Sequence, residues 1–182
     1  MLSNNATVNA YNKLKNNFAL SFDTVNDYVE YLVNAYIVQT VNKFDYSVKK
    51  QIANPKKFYA IDTGLANAVS FHLSEKRGAN LENIVFLELK RRKKKIYYYR
   101  TTKGLEVDFL IPCPDVTELI QVSVTLENEE TRRRELRVFK EAQKELKGAV
   151  RCRVITLDRS ETVSFDGMEI AIVNVLEFLL AL

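Results

Sequence analysis

Long apolar runs are missing from this sequence: no stretch approaches the ~18 residues that a membrane-spanning helix needs, so no transmembrane helix is expected. The opening residues, MLSNNATVNAYNKLKNN, carry no basic region followed by an apolar run. They therefore predict no signal peptide and a cytoplasmic protein. Cysteine is scarce. Cys113 and Cys152 form no CxxC or CxxH pattern, which predicts reduced thiols and argues against zinc. His72 is the single histidine, in the polar stretch SFHLSEKRG with no partner nearby in sequence, so Ser-His-Asp or Cys-His catalysis has no support. No G-x-x-x-x-G-K-[ST] phosphate loop occurs, so nothing here is expected to hydrolyse ATP.

What is present fits one domain or two small ones: 182 residues, 47% hydrophobic and 27% charged, enough to bury a core. The net charge of +4 is unevenly spread. Lys90, Arg91, Arg92, Lys93, Lys94 and Lys95 are consecutive, a block that suits either a polyanion-binding surface or a solvated helix end. Residues 6–18 read as a short helix, with Val8, Tyr11, Leu14 and Phe18 at helical spacing. Ser21 is placed to cap a second helix, in which Val25, Tyr28, Val29, Leu32 and Tyr36 make one apolar face. Strands over 37–44 and 57–61, with a polar loop 45–55 between them, complete a winged-helix-like domain over residues 1–62. Its second helix carries Asp23, Asp27 and Glu30 and no lysine or arginine, a poor surface for reading DNA. Asp62-Thr63-Gly64-Leu65 then turns the chain into a second domain, 63–182.

That domain is built around residues 82–123. From Gly78 a helical wheel gathers Leu81, Ile84, Val85 and Leu89 on one arc, with Glu88 near its middle and Glu82 at its edge. A carboxylate on a buried face needs a cation, a metal or a donor. Residues 95–101 and 105–111 predict a hairpin in which Glu106 and Asp108 share a face. A third strand, 118–124, turns Gln121 and Ser123 to one side. Asn128 is placed to cap a long helix over 129–147, with Leu136, Phe139, Ala142 and Leu146 as its inner stripe. That helix links the third strand to a fourth, 151–157, which predicts a parallel pair. A hairpin-like segment at Asp166-Gly167 and an apolar closing helix from Val175 finish the chain.

The order helix, three strands, helix, strand resembles the core of the restriction-endonuclease-like, or PD-(D/E)XK, fold: an α/β mixed sheet flanked by helices. More specifically, the sequence is similar to the C-terminal region of a family of bacterial and archaeal AAA-type ATPases that carry a domain of unknown function. The matching pieces are DTGLA at 62–66, LENIVFLELKRR at 81–92, YYYRTTKGLEVDFLI at 97–111, LIQVSVTLENEETRRREL at 119–136, and the closing helix. The likeness covers nearly the whole chain and implies an ATPase partner domain outside it. In the nuclease fold a helix acid, a strand acid and a third-strand acid hold Mg²⁺ beside a lysine. Carried over by position, Glu82 and Asp108 are the first two and the metal candidates, while Gln121-Val122-Ser123 stands at the third motif. Gln121 brings no charge and Ser123 no ammonium; Lys90, Lys103 or an arginine of 132–134 are candidate stand-ins. Glu88 and Glu106 are further candidates: the wheel favours Glu88 for burial, the resemblance favours Glu82. The expectation is a non-catalytic module of the ATPase family, with a degenerate nuclease fold, binding DNA (through residues 90–95) or protein. The alternatives are a Mg²⁺-dependent nuclease acting on DNA and a purely protein-binding domain.

Overall fold

The structure is a computed structural model, described over residues 6–9, 11–68 and 77–181. His72 lies outside the described residues. The chain divides into two compact units, Met1–Asn83 and Ile84–Leu182.

The first unit contains, in order, β1 (Thr7–Asn9), α1 (Tyr11–Phe18), α2 (Phe22–Asn34), β2 (Val38–Val41), α3 (Val48–Ala53), β3 (Lys56–Ala60) and α4 (Thr63–Ala68). Its sheet has the order β1-β3-β2 and is antiparallel throughout. Residues 6–18 are thus not one helix: Thr7 to Asn9 extend along β3, with Thr7 opposite Phe58. Sheet pairing satisfies backbone groups there, and the β-branched Thr7 and Val8 suit a strand better than a first helical turn. Ser21 caps α2 as its position predicts, its hydroxyl accepting from the Thr24 amide at 3.0 Å.

Leu14, Val25, Val29, Val38 and Phe58 form the core of this unit, with Leu20, Leu32, Val33 and Ile37 packed against it. Tyr28 and Tyr36, expected on the apolar face, are 56% and 72% exposed. Tyr28 sits on the flank of the wheel, and Tyr36 lies beyond the helix in a turn, with φ of 54°. The segment 45–55 is no simple polar loop, because it folds into α3. The strand before it, β2, is accordingly shorter than the pattern suggests, while β3 keeps the expected five residues, shifted by one.

Helix α5 (Arg77–Arg91) contains the division between the units. The second unit continues with β4 (Tyr97–Arg100), β5 (Glu106–Ile111), β6 (Val116–Val122), α6 (Glu129–Glu145), β7 (Ala149–Thr156), β8 (Glu161–Phe165), β9 (Met168–Asn174) and α7 (Val175–Leu180). Its sheet runs β4-β5-β6-β7-β9-β8. The β4/β5, β5/β6 and β8/β9 pairs are antiparallel, and β6/β7 and β7/β9 are parallel. The chain is therefore mixed α/β, with a mixed sheet flanked by helices. The parallel β6/β7 pair follows from the connection through α6, since a parallel return needs a crossover. Asp166 and Gly167 both have positive φ, 50° and 82°, as a tight primed hairpin turn demands. Phe109, Leu119, Ile120, Phe139, Val154 and Ile155 are fully buried around this sheet.

Candidate functional site

Pairing of Phe109 with Ile120 places Asp108 beside Gln121 on the neighbouring strand. Both side chains are buried. The Asp108 amide donates to Gln121 Oε1 at 3.3 Å, and the Val122 amide donates to Asp108 Oδ2 at 3.0 Å. Gln121 Nε2 in turn donates to Glu135 Oε2 on α6 at 2.8 Å, and Arg134 pairs with the other Glu135 oxygen at 2.8 Å. The Asp108 backbone, the Gln121 amide and the Glu135 carboxylate are thus joined in one chain of hydrogen bonds, while the Asp108 carboxylate is tied to the Val122 backbone. A glutamine can make this bridge because its amide accepts on one side and donates on the other. A carboxylate in its place would set like charge against Glu135.

Glu135 is the residue that the sequence reading missed. It lies four residues before Phe139 and seven before Ala142, so the inner stripe of α6 extends back onto it. Three preceding arginines mask the signal, because an acid after a basic run reads as a surface ion pair. Glu106 stands two residues from Asp108, opposite Arg100 on β4.

Of the candidate stand-ins for a motif lysine, Lys103, Arg132 and Arg134 have acid partners, while Lys90 is exposed at the end of α5. Lys103 pairs with Glu141 at 2.7 Å, and Arg132 with Glu161 at 2.8 Å. Arg134 reaches the network through Glu135. The Ser123 hydroxyl donates to the Thr125 carbonyl at 2.9 Å. The donor set does not fit a tightly held Mg²⁺: one Asp108 oxygen accepts an amide proton, and the third position is a neutral amide. Among the described residues no grouping of three or more His, Cys, Asp or Glu side chains could hold a metal ion.

In the first unit Glu82 accepts from Lys57 Nζ at 2.9 Å and from the Tyr59 hydroxyl at 2.7 Å. Lys57 is only 2% exposed, so Glu82 compensates a cation that would be costly to bury alone. Glu88 is likewise buried and paired. Its carboxylate takes two hydrogen bonds from Arg91 at 2.7 Å and one from Arg92 at 2.6 Å. The Arg91 hydrogen bonds foremost, then Arg92, outweigh desolvation and hold the Glu88 carboxyl down at about 2. The partners are arginines of its own helix end.

The basic run therefore splits by role. Arg91 and Arg92 serve Glu88, and the Arg92 guanidinium also lies 4.6 Å over the Phe178 ring and donates to the Phe178 carbonyl. Lys90, Lys93, Lys94 and Lys95 are exposed. Lys93, with φ of 55°, ends α5: the Lys94 amide reaches the Leu89 carbonyl and the Lys93 amide the Lys90 carbonyl. That is the double bond pattern of a left-handed helix stop, and it fans the last lysines off the helix end. Lys95 Nζ sits 5.7 Å over the Tyr97 ring. The arginines of α6 offer a less uniform surface, because Arg133, Arg134 and Arg137 line an open groove together with Glu129, Glu130 and Asp166.

Cys113 is exposed and Cys152 buried, neither in a disulfide. Burial pushes the Cys152 thiol up to about 12, an inert core thiol. No described helix is long and apolar enough to cross a membrane.

Two relatives share this sequence pattern. An uncharacterized protein of Methanocaldococcus jannaschii is 37% identical over 159 residues, 84% of this chain and 35% of the relative. An uncharacterized protein of Haemophilus influenzae is 32% identical over 108 residues, 57% of this chain and 25% of the relative. The chain thus spans about a third or less of these curated relatives. Residues 1–77 match a domain of unknown function, DUF8612, and residues 77–178 match a second, DUF4143. With more than half of its residues in that second match, the chain belongs to the DUF4143 family.

Proposed function

We propose that the chain is a non-catalytic binding module that holds DNA through the exposed lysines at the end of α5, within a longer protein carrying an AAA-type ATPase. In this reading residues 63–182 are a degenerate restriction-endonuclease-like domain, and residues 1–62 a winged-helix-like domain that packs or interacts more than it reads sequence. The observation that supports a non-catalytic reading is the Gln121 amide, which stands where the resemblance puts the third motif and links the Asp108 backbone to Glu135. A neutral bridge there offers a hard cation too few charged oxygens, and Ser123 brings no ammonium to stabilise charge on a phosphate. Support for binding comes from four exposed lysines at one helix end, where charge rather than shape dominates. The link to an ATPase rests on the family resemblance and on the greater length of both relatives.

The test of binding is fluorescence anisotropy of labelled single- and double-stranded DNA against salt. The wild-type chain is expected to bind without sequence preference, with affinity falling steeply as salt rises. Replacing Lys90, Lys93, Lys94 and Lys95 by alanine should flatten the log-log salt slope by about 3 to 4 for duplex DNA. An unchanged slope and affinity would instead favour a purely protein-binding domain.

A further inference from the structure

The first unit carries two unlike surface patches that match each other. One is the outer face of α2, where Asp23, Asp27 and Glu30 project with Tyr28 and Tyr31 and no lysine or arginine occurs in the helix. The two tyrosine rings meet edge to face, with centroids 6.4 Å apart, and Tyr31 is 66% exposed. Paired, low-entropy aromatics rimmed by charge are the composition of a protein contact rather than of a solvated helix. Their acids repel phosphate.

The other patch is α3. None of its residues is buried, and Val48 and Ile52, each 67% exposed, lie one helical turn apart on one face. Lys49 flanks that face and Lys50 stands behind it. The helix is held in place from one end, where the Ser47 amide and the Gln51 side chain hydrogen-bond Asp45, leaving its aliphatic pair to solvent. An apolar pair this exposed on one helix face is the composition of a contact surface.

We propose that α3 of one copy docks on the outer face of α2 of a second copy, Val48 and Ile52 against Tyr28 and Tyr31, with Lys49 meeting Asp23, Asp27 and Glu30 and Lys50, on the far side of α3, adding the same sign of charge at longer range. Each patch supplies the sign of charge that the other lacks and an exposed apolar pair for the other to cover, and both belong to the same chain. A second copy is therefore the occupant for which complementarity is on both sides. This contact does not depend on DNA binding by the α5 lysines, and it can fail without affecting that reading.

Sedimentation velocity of the full chain over a concentration series tests it. The wild-type chain is expected to self-associate reversibly. One variant reverses α2 (D27K/E30K) and another reverses α3 (K49E/K50E). Each alone should associate at least about tenfold more weakly, since like charges then face each other. An equal mixture of the two should regain association, because each reversed patch then meets an opposite one. A wild-type chain that stays monomeric throughout, variants that associate like wild type, or a mixture that is not restored would each overturn the proposal. So would α3-dependent binding to phosphatidylserine vesicles, or loss of DNA affinity in K49E/K50E, in a chain that does not self-associate. Circular dichroism checks that these exposed positions leave the fold intact.

Discussion

At the residue scale the site turns on Gln121. Its amide donates to Glu135 and accepts from the Asp108 backbone, a pair of roles that a carboxylate cannot fill. Gln121→Glu should destabilise the fold by about 1–3 kcal/mol at pH 7, by removing a buried donor and adding a like charge. The introduced carboxyl and Glu135 would then form an acid pair, one member of which has a folded-state pKa above its unfolded value. The variant should therefore recover stability as pH falls, which urea denaturation at pH 7 and pH 5 would reveal. Glu88 has the opposite sign. Its folded-state pKa of about 2 lies below the ordinary 4.5, so its contribution is present above about pH 4.5 and is lost as pH falls toward 2. Glu88→Gln should cost on the order of 1–3 kcal/mol near neutrality. It should also flatten the acid limb of the stability curve between those values, whereas an acid limb identical to wild type would contradict the assignment.

At the element scale the caps and periodicities were legible because they are local. Ser21 and Asn128 sit where a hydroxyl or amide oxygen can reach the first free amides, and the inner stripe of α6 follows its 3.6-residue period. What could not be read depends on partners distant in sequence. β1 is a strand only because β3 offers it an edge, and α3 forms within a segment whose composition is that of a loop. Glu135 joins Gln121 across elements that sequence spacing alone does not bring together. Glu145, near the end of α6, is a similar case: it accepts from the Thr102 amide and hydroxyl and from the Tyr99 hydroxyl at 2.6 to 3.1 Å. Glu145→Ala should cost about 1–3 kcal/mol and speed amide exchange in the 101–104 turn, read by hydrogen-exchange mass spectrometry. Equal exchange in the two proteins would show that the clamp does not hold the turn. The end of α5 offers a test in the other direction. Lys93 has a left-handed backbone, so Lys93→Gly should raise stability by about 0.5–1 kcal/mol, whereas Lys93→Ala should not, by thermal denaturation.

At the scale of the whole molecule, the acids singled out by the nuclease resemblance are held in structural pairings. Glu82 compensates the buried Lys57, Glu88 anchors two arginines of the basic run, the Asp108 carboxylate accepts from the Val122 amide, and Glu135 accepts from the Gln121 amide. The lysines left exposed by these pairings are the surface on which the proposed DNA binding rests. Both ends of this division of labour grow from one helix, α5, whose buried face carries the acid and whose end presents the cations. The α/β layout was legible from the alternation of periods. The order of strands was legible as well, yet the partners of Glu82, Glu88 and Asp108 required the pairings to be seen. The most direct measurement is cleavage of labelled single- and double-stranded DNA by the purified chain with Mg²⁺ or Mn²⁺, beside the Asp108→Ala variant. The account predicts intact DNA with both proteins, each still folded. Metal-dependent cleavage by the wild-type chain that is lost in the variant would contradict it and make Asp108 a catalytic residue.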